Sequence, residues 1–139
     1  MKSKAPLVMM EQMVMILVFA LAAALCLQAF VLSDRMSAEN QARDKAVVLC
    51  QNAAEALRAS SGDMEAAAAV LGTDTYEEGA LMAGYGEGWG QAQGTMRYTL
   101  CASRQESGVP GLGSATVWVR DEAEGKELFR LSVSWQEVA

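Results

Sequence analysis

The chain has 139 residues, a net charge of −6 and no histidine, with hydrophobic residues at 52%. That size leaves room for one small domain beside any membrane segment. The lack of histidine removes the most frequent general base and the commonest metal ligand, and the acidic balance makes nucleic acid and anionic lipid headgroups poor partners.

Met1 to Pro6 is a short leader carrying Lys2 and Lys4. From Leu7 the chain turns apolar, is interrupted at Glu11 and Gln12, and from Met13 to Leu32 contains only one polar residue, Gln28. At 1.5 Å per residue such a run spans roughly the 30 Å hydrocarbon core, so residues 7–32 are expected to be the transmembrane part of a helix. No Pro or Gly follows before Gly62, and nothing halts the helix at the membrane surface. Residues 33–60 continue it as an amphipathic extension. Leu32, Met36, Ala42, Ala46, Leu49, Cys50, Ala53 and Leu57 recur at helical spacing, opposite a polar face that includes Asp34, Arg35, Glu39, Arg43, Glu55 and Arg58. The stripe needs a cover, and residues 61–139 are expected to supply it.

Residues 33–139 hold 16 acids and 9 bases, hence −7, against the two lysines of the leader. The positive-inside rule then puts the N-terminus in the cytoplasm and the C-terminal head outside, a single-pass arrangement in the cell membrane.

The chain breaks at Ser61 and Gly62, and Asp63 is positioned to cap a short helix over 63–71 that Gly72 ends. Residues 73–79 form an acidic connection with Asp74, Glu77 and Glu78, read as a solvated loop because the spacing matches no calcium motif. Strands are expected at about 81–85, 96–103, 115–121 and 127–136. In the last of them Phe129, Leu131, Val133 and Trp135 alternate with polar residues. Val117 and Val119 do the same, as do Tyr98, Leu100 and Ala102. Single-faced apolar strands make an antiparallel sheet, and the helix stripe around Val47, Cys50, Ala53 and Leu57 is its partner. The fold class is therefore α+β, a long N-terminal helix packed on a small antiparallel sheet of three to four strands.

The glycines from Gly84 to Gly94 are expected to shape an irregular hairpin connection with Trp89 folded back on the sheet; no Walker lysine or helix start supports a phosphate loop. Residues 108–113 form a second loop, and residues 122–126, with Gly125, a hairpin turn. Trp118 points outward from its strand, either to be covered by a loop or to contact a neighbour. Cys26 lies in the apolar run; Cys50 and Cys101 fall on helix and strand, where a bridge outside the cell is one alternative and the alternation, turning Cys101 away from the face that carries Leu100, speaks for the other.

A short lysine-bearing leader, an acid at the fifth position after Pro6, about twenty apolar residues, an amphipathic extension and a small helix-plus-sheet head together resemble the bacterial type IV pilins and the pseudopilins of type II secretion systems. The resemblance implies cleavage of the leader between Pro6 and Leu7, methylation of the new N-terminus and a role for Glu11 in pairing with an N-terminal amine during assembly. Pro6 stands where the family has Gly, and Leu7 where it has Phe or Met. The implied function is a membrane-anchored prepilin-type structural subunit whose partners are the membrane, other pilin-like subunits and the assembly machinery. The alternative is a single-pass membrane protein that does not polymerise and whose head is a binding or accessory domain, with Trp118 as its contact. An enzyme is not expected: no nucleophile-base pair, metal-ligand cluster or cofactor fingerprint is present, and no cofactor, metal, small-molecule substrate or nucleic acid is anticipated.

Overall fold

With no proline after Pro6 and no glycine before Gly62 to interrupt it, the first element is a single helix, α1, Ala5–Ala59, of 55 residues. Pro6 falls in its first turn, where the amide it lacks has no helical acceptor. The computed structural model describes residues 3–73, 76–77 and 79–137. Lys2 of the leader and Asp74 and Glu78 of the acidic connection lie outside the described residues. The chain divides into two compact units, residues 1–40 and residues 41–139.

In the second unit, α1 ends at Ala59 because Ser61 and Gly62 turn left-handed, at φ 53° and 83°. The Gly62 amide reaches back to the Leu57 carbonyl at 2.8 Å, which satisfies an orphan carbonyl at the helix end. The second helix, α2, Met64–Leu71, is capped by Asp63, whose Oδ1 accepts from the amides of Glu65 at 3.0 Å and Ala66 at 3.2 Å. Gly72 closes it, as the sequence indicates.

Five strands follow: β1 (Tyr76–Glu77), β2 (Ala80–Tyr85), β3 (Leu100 at its centre, Tyr98–Gln105), β4 (Leu112–Asp121) and β5 (Lys126–Gln136). They form one antiparallel sheet in sequence order. Short connections, 106–111 and 122–125, join β3 to β4 and β4 to β5, as antiparallel pairing allows, while the longer glycine-rich run 86–97 joins β2 to β3. The two-residue β1 falls in the acidic connection expected as loop, a correction whose reason is that a strand this short carries no alternation. It is held only by the register Tyr76 to Leu81 and Glu77 to Ala80. β3 begins at Tyr98, the partner of the last β2 residue Tyr85, rather than at residue 96, and the Met96 side chain lies against Gly84. β4 begins at Leu112 rather than residue 115, and this corrects the expected loop over 108–113. Gly113 is a paired strand residue opposite Trp135, and a Cβ there would stand 2.3 Å from the indole nitrogen. The glycine admits the ring; it does not make the turn.

The inner face of the sheet is apolar in rows. Leu81, Ala102, Val117 and Leu131 are successive partners across four strands, as are Ala83, Leu100, Val119 and Phe129. Ala46, Cys50, Ala53, Ala54, Ala56 and Leu57 of α1 and Met64, Ala67 and Ala68 of α2 complete the same core. Cys50, Leu57, Leu81, Leu100, Val117 and Val119 are fully buried. The expected pairing of helix stripe with sheet thus holds from Ala46 onward, whereas Val47 is only partly buried. Trp89 stacks on Tyr98 with ring centroids 3.8 Å apart and planes within 10°, so the glycine-rich connection does fold back on the sheet.

Candidate functional site

The first unit contains the first part of α1. It is long and apolar enough to cross a membrane, and its large side chains are uncovered, Phe19 at 76% and Leu7 at 73% exposure. Pro6, Leu7 and Glu11 all lie in the opening turns of α1, and Glu11 is exposed. A carboxylate on the surface of an otherwise apolar helix is costly in hydrocarbon, so such a residue either stays near the interface or meets a cationic partner.

The second candidate is the outer face of the sheet. Because residues on one face are spaced by two, the burial of Val117 and Val119 inside sends Trp118 outside, and it is half-buried there. Its cover is a side chain from the neighbouring strand. Arg130 is the register partner of Trp118, and its guanidinium carbon lies 5.3 Å from the indole centroid, within cation–π range. Glu127 fixes that guanidinium through two bonds, Arg130 Nε to Oε1 at 2.9 Å and Nη2 to Oε2 at 2.7 Å. The hydrogen bonds from Arg130 lower the Glu127 carboxyl below its ordinary range, and Glu127 raises Arg130 in turn.

The spacing of that pair explains why the sequence concealed it. Residues three apart in a regular strand point to opposite faces. Here Arg120 pairs with Glu127 while Val119 pairs with Phe129, so Leu128 is an inserted residue at a bulge. The insertion brings Glu127 and Arg130 onto one side, where Glu127 holds Arg130 over Trp118.

Two ion pairs, Arg97 with Asp121 and Arg104 with Glu137, have no signature in the strand alternation. Asp121, on the inner side and only 4% exposed, pairs with Arg97 at 3.0 Å and accepts from the amides of Ala123 at 2.9 Å and Glu124 at 3.3 Å. It therefore builds the β4–β5 turn, together with Gly125 at φ 62°. Trp135 is 6% exposed, with Arg104 at 5.9 Å from its centroid. Its ring rests on both Gly62 and Gly113. Arg104 also pairs with Glu137. These groups join helix end, strand and loop, a structural role.

The cysteines are unbridged. Cys50 is buried under the inner face and Cys101 lies among the outer-face residues, partly exposed, so the sheet separates them as the alternation implied. Burial, with a smaller contribution from Glu127, pushes the Cys50 thiol up to about 12. Burial, then Glu122, raises Cys101. Among the described residues no three Cys, Asp or Glu side chains converge as a metal site. Comparison with family models, with curated proteins and with solved structures finds no match for this chain.

Proposed function

We propose that this chain is a membrane-anchored structural subunit of the pilin or pseudopilin kind, assembling through the apolar part of α1 in a type IV pilus or type II secretion-like system. The observation that carries the reading is the single helix Ala5–Ala59. Its opening part is apolar, uncovered and marked by Glu11, and its last turns are built into a small helix-plus-sheet head. On this reading the N-terminus is cytoplasmic and the head extracytoplasmic, Pro6–Leu7 is the processing junction, and Glu11 meets an N-terminal amine of a neighbouring subunit. A carboxylate and an ammonium in a low-dielectric setting attract strongly, and removing one partner leaves the other costly to bury.

The intact mass of the protein, recovered from membranes of a host with a prepilin peptidase, tests the junction. Loss of residues 1–6 with a methyl group on Leu7 is expected. In the same host Glu11→Ala is expected to abolish incorporation into filaments while membrane insertion and head folding persist. Wild-type assembly by that variant removes Glu11 from the mechanism.

One observation favours a second reading, an anchored module that does not polymerise. Pro6 occupies the position before the junction, and an uncut leader leaves lysine charge that is costly to draw into a filament core. On that reading the half-buried Trp118 with its Arg130 clasp is the contact surface. An intact N-terminus together with loss of a partner in Trp118→Ala would favour it.

A further inference from the structure

The outer face of the sheet carries a concentration of sulfur that neither functional reading uses. Met82 of β2 and Cys101 of β3 are direct cross-strand partners, so their Cβ atoms stand roughly 5 Å apart on one face. Ala83 and Tyr85 are buried inside, which places Met82 and Gly84 outside. Over Gly84 lies a third sulfur. The Met96 thioether is only 2.6 Å from where a Cβ at Gly84 would be, with its Cγ at 2.7 Å. Glycine therefore leaves a seat in the strand that Met96 fills from the loop. Gly84 is two residues along the strand from Met82, and Thr99, its partner, is two residues from Cys101. All three sulfur side chains therefore project from adjoining positions of one patch. Met82 is 38% exposed and Met96 50%, so the patch is open to an incoming ion. Trp118 is the partner of Cys101 on the far side.

We propose that Met82, Met96 and Cys101 form a binding site for a soft monovalent d10 cation, Cu(I) or Ag(I). Two thioethers and a thiol are the donors that select such ions over zinc, calcium or magnesium. With no histidine in the chain, and no carboxylate among these donors, hard or borderline divalent ions have little to hold them here. The step is a ligand exchange without redox: the thiol of Cys101 gives up its proton to solvent, a sulfur–metal bond forms, and the two thioethers complete the coordination by lone-pair donation. Met96, coming from the loop between β2 and β3, is the ligand that adjusts to close the site.

The test uses the full-length protein in detergent micelles, in a Cys26→Ala background that removes the exposed thiol of the apolar helix. Cu(I), held by a chromophoric chelator, is titrated under anaerobic conditions, and Ag(I) is titrated against Trp fluorescence. One ion per chain is expected, with X-ray absorption showing more than one sulfur neighbour. Cys101→Ser should weaken binding by about 100-fold and Met82→Leu with Met96→Leu by about tenfold. Gly84→Ala should also weaken it, because the new Cβ evicts the Met96 thioether from its seat. Leucine nearly conserves methionine volume, so the double variant keeps the fold, which far-UV circular dichroism checks. Unchanged affinity in the double methionine variant, or a single sulfur neighbour in the wild-type spectrum, overturns the site. No binding of either ion does the same.

Discussion

The two ends of α1 differ in what their apolar faces carry. Between Leu7 and Leu32 large side chains predominate, with alanine at Ala20, Ala22, Ala23, Ala24 and Ala29, and all of them are uncovered. Between Ala46 and Leu57 the buried residues are Ala46, Cys50, Ala53, Ala54, Ala56 and Leu57, mostly alanines. The more hydrophobic end is thus the one without protein packed against it. Small side chains on the helix meet small ones in the shared core, Ala83, Ala102 and Ala115 of the inner face of the sheet. Large residues maximise apolar area facing hydrocarbon, where no shape need be matched. A buried face made mostly of alanine marks the part of this helix that meets protein, against the part that is free to meet lipid.

The largest expected effect sharpens that contrast. Leu57 is the bulkiest buried residue of α1 and fully enclosed, so Leu57→Ala should destabilise the head by about 3 kcal/mol through lost transfer energy and a residual cavity. Leu17, exposed in the first unit, should leave head stability within about 0.5 kcal/mol when changed to Ala. Denaturant unfolding in micelles, followed by Trp fluorescence, compares the two. Equal effects would break the distinction.

A somewhat smaller effect comes from pH. Cys50 in the folded head titrates at about 12, against an ordinary value of 9.0. A raised pKa on an acid means the unfolded chain loses its proton first. The contribution is fully present below pH 9.0 and is lost as pH rises toward about 12. At 1.5 pH units above the ordinary thiol value the loss is about 2 kcal/mol. Tyr85, also raised by burial, acts in the same direction, so the decisive quantity is the difference in alkaline slope between wild type and Cys50→Ala. A Cys50→Ala protein with the wild-type slope would show that this helix face is open to water.

How much of this was legible follows from period. The helix, α2 with Asp63 and Gly72, and the alternation along β3, β4 and β5 each express a repeat of 3.6 or 2, which a linear sequence displays directly. Trp118 could be placed outside by the same alternation. What covers it could not, because Arg130 arrives from another strand and shares a face with Glu127 only through the inserted Leu128. Gly113 reads as a turn residue in the sequence because glycine signals both turns and close approach, and only the Trp135 ring distinguishes them. β1 is too short to have a period. In the sulfur patch, Met82 and Cys101 follow from register, but Met96 reaches them from outside any strand.

The smallest expected effect concerns the open edge of the sheet. β5 is the terminal strand, and an uncovered edge offers unpaired amides and carbonyls to other chains. The Glu137 amide bonds toward the β4 side, to the Gly111 carbonyl at 2.9 Å. In an antiparallel ladder alternate residues face alternate sides, so the Ser134 carbonyl is turned to the free edge. There Arg58 of α1 donates from Nε at 3.3 Å. The helix therefore guards part of the edge of the sheet it packs on, and the bulge and charges of Glu127 and Arg130 guard another. Arg58→Ala should cost about 0.5 kcal/mol, as expected for one exposed hydrogen bond, and should raise self-association measured by sedimentation more than it lowers the unfolding midpoint. Arg35→Ala, in the first unit, should do neither. If the two variants associate equally, charge alone accounts for the effect and the Arg58 contact has no part in protecting the strand.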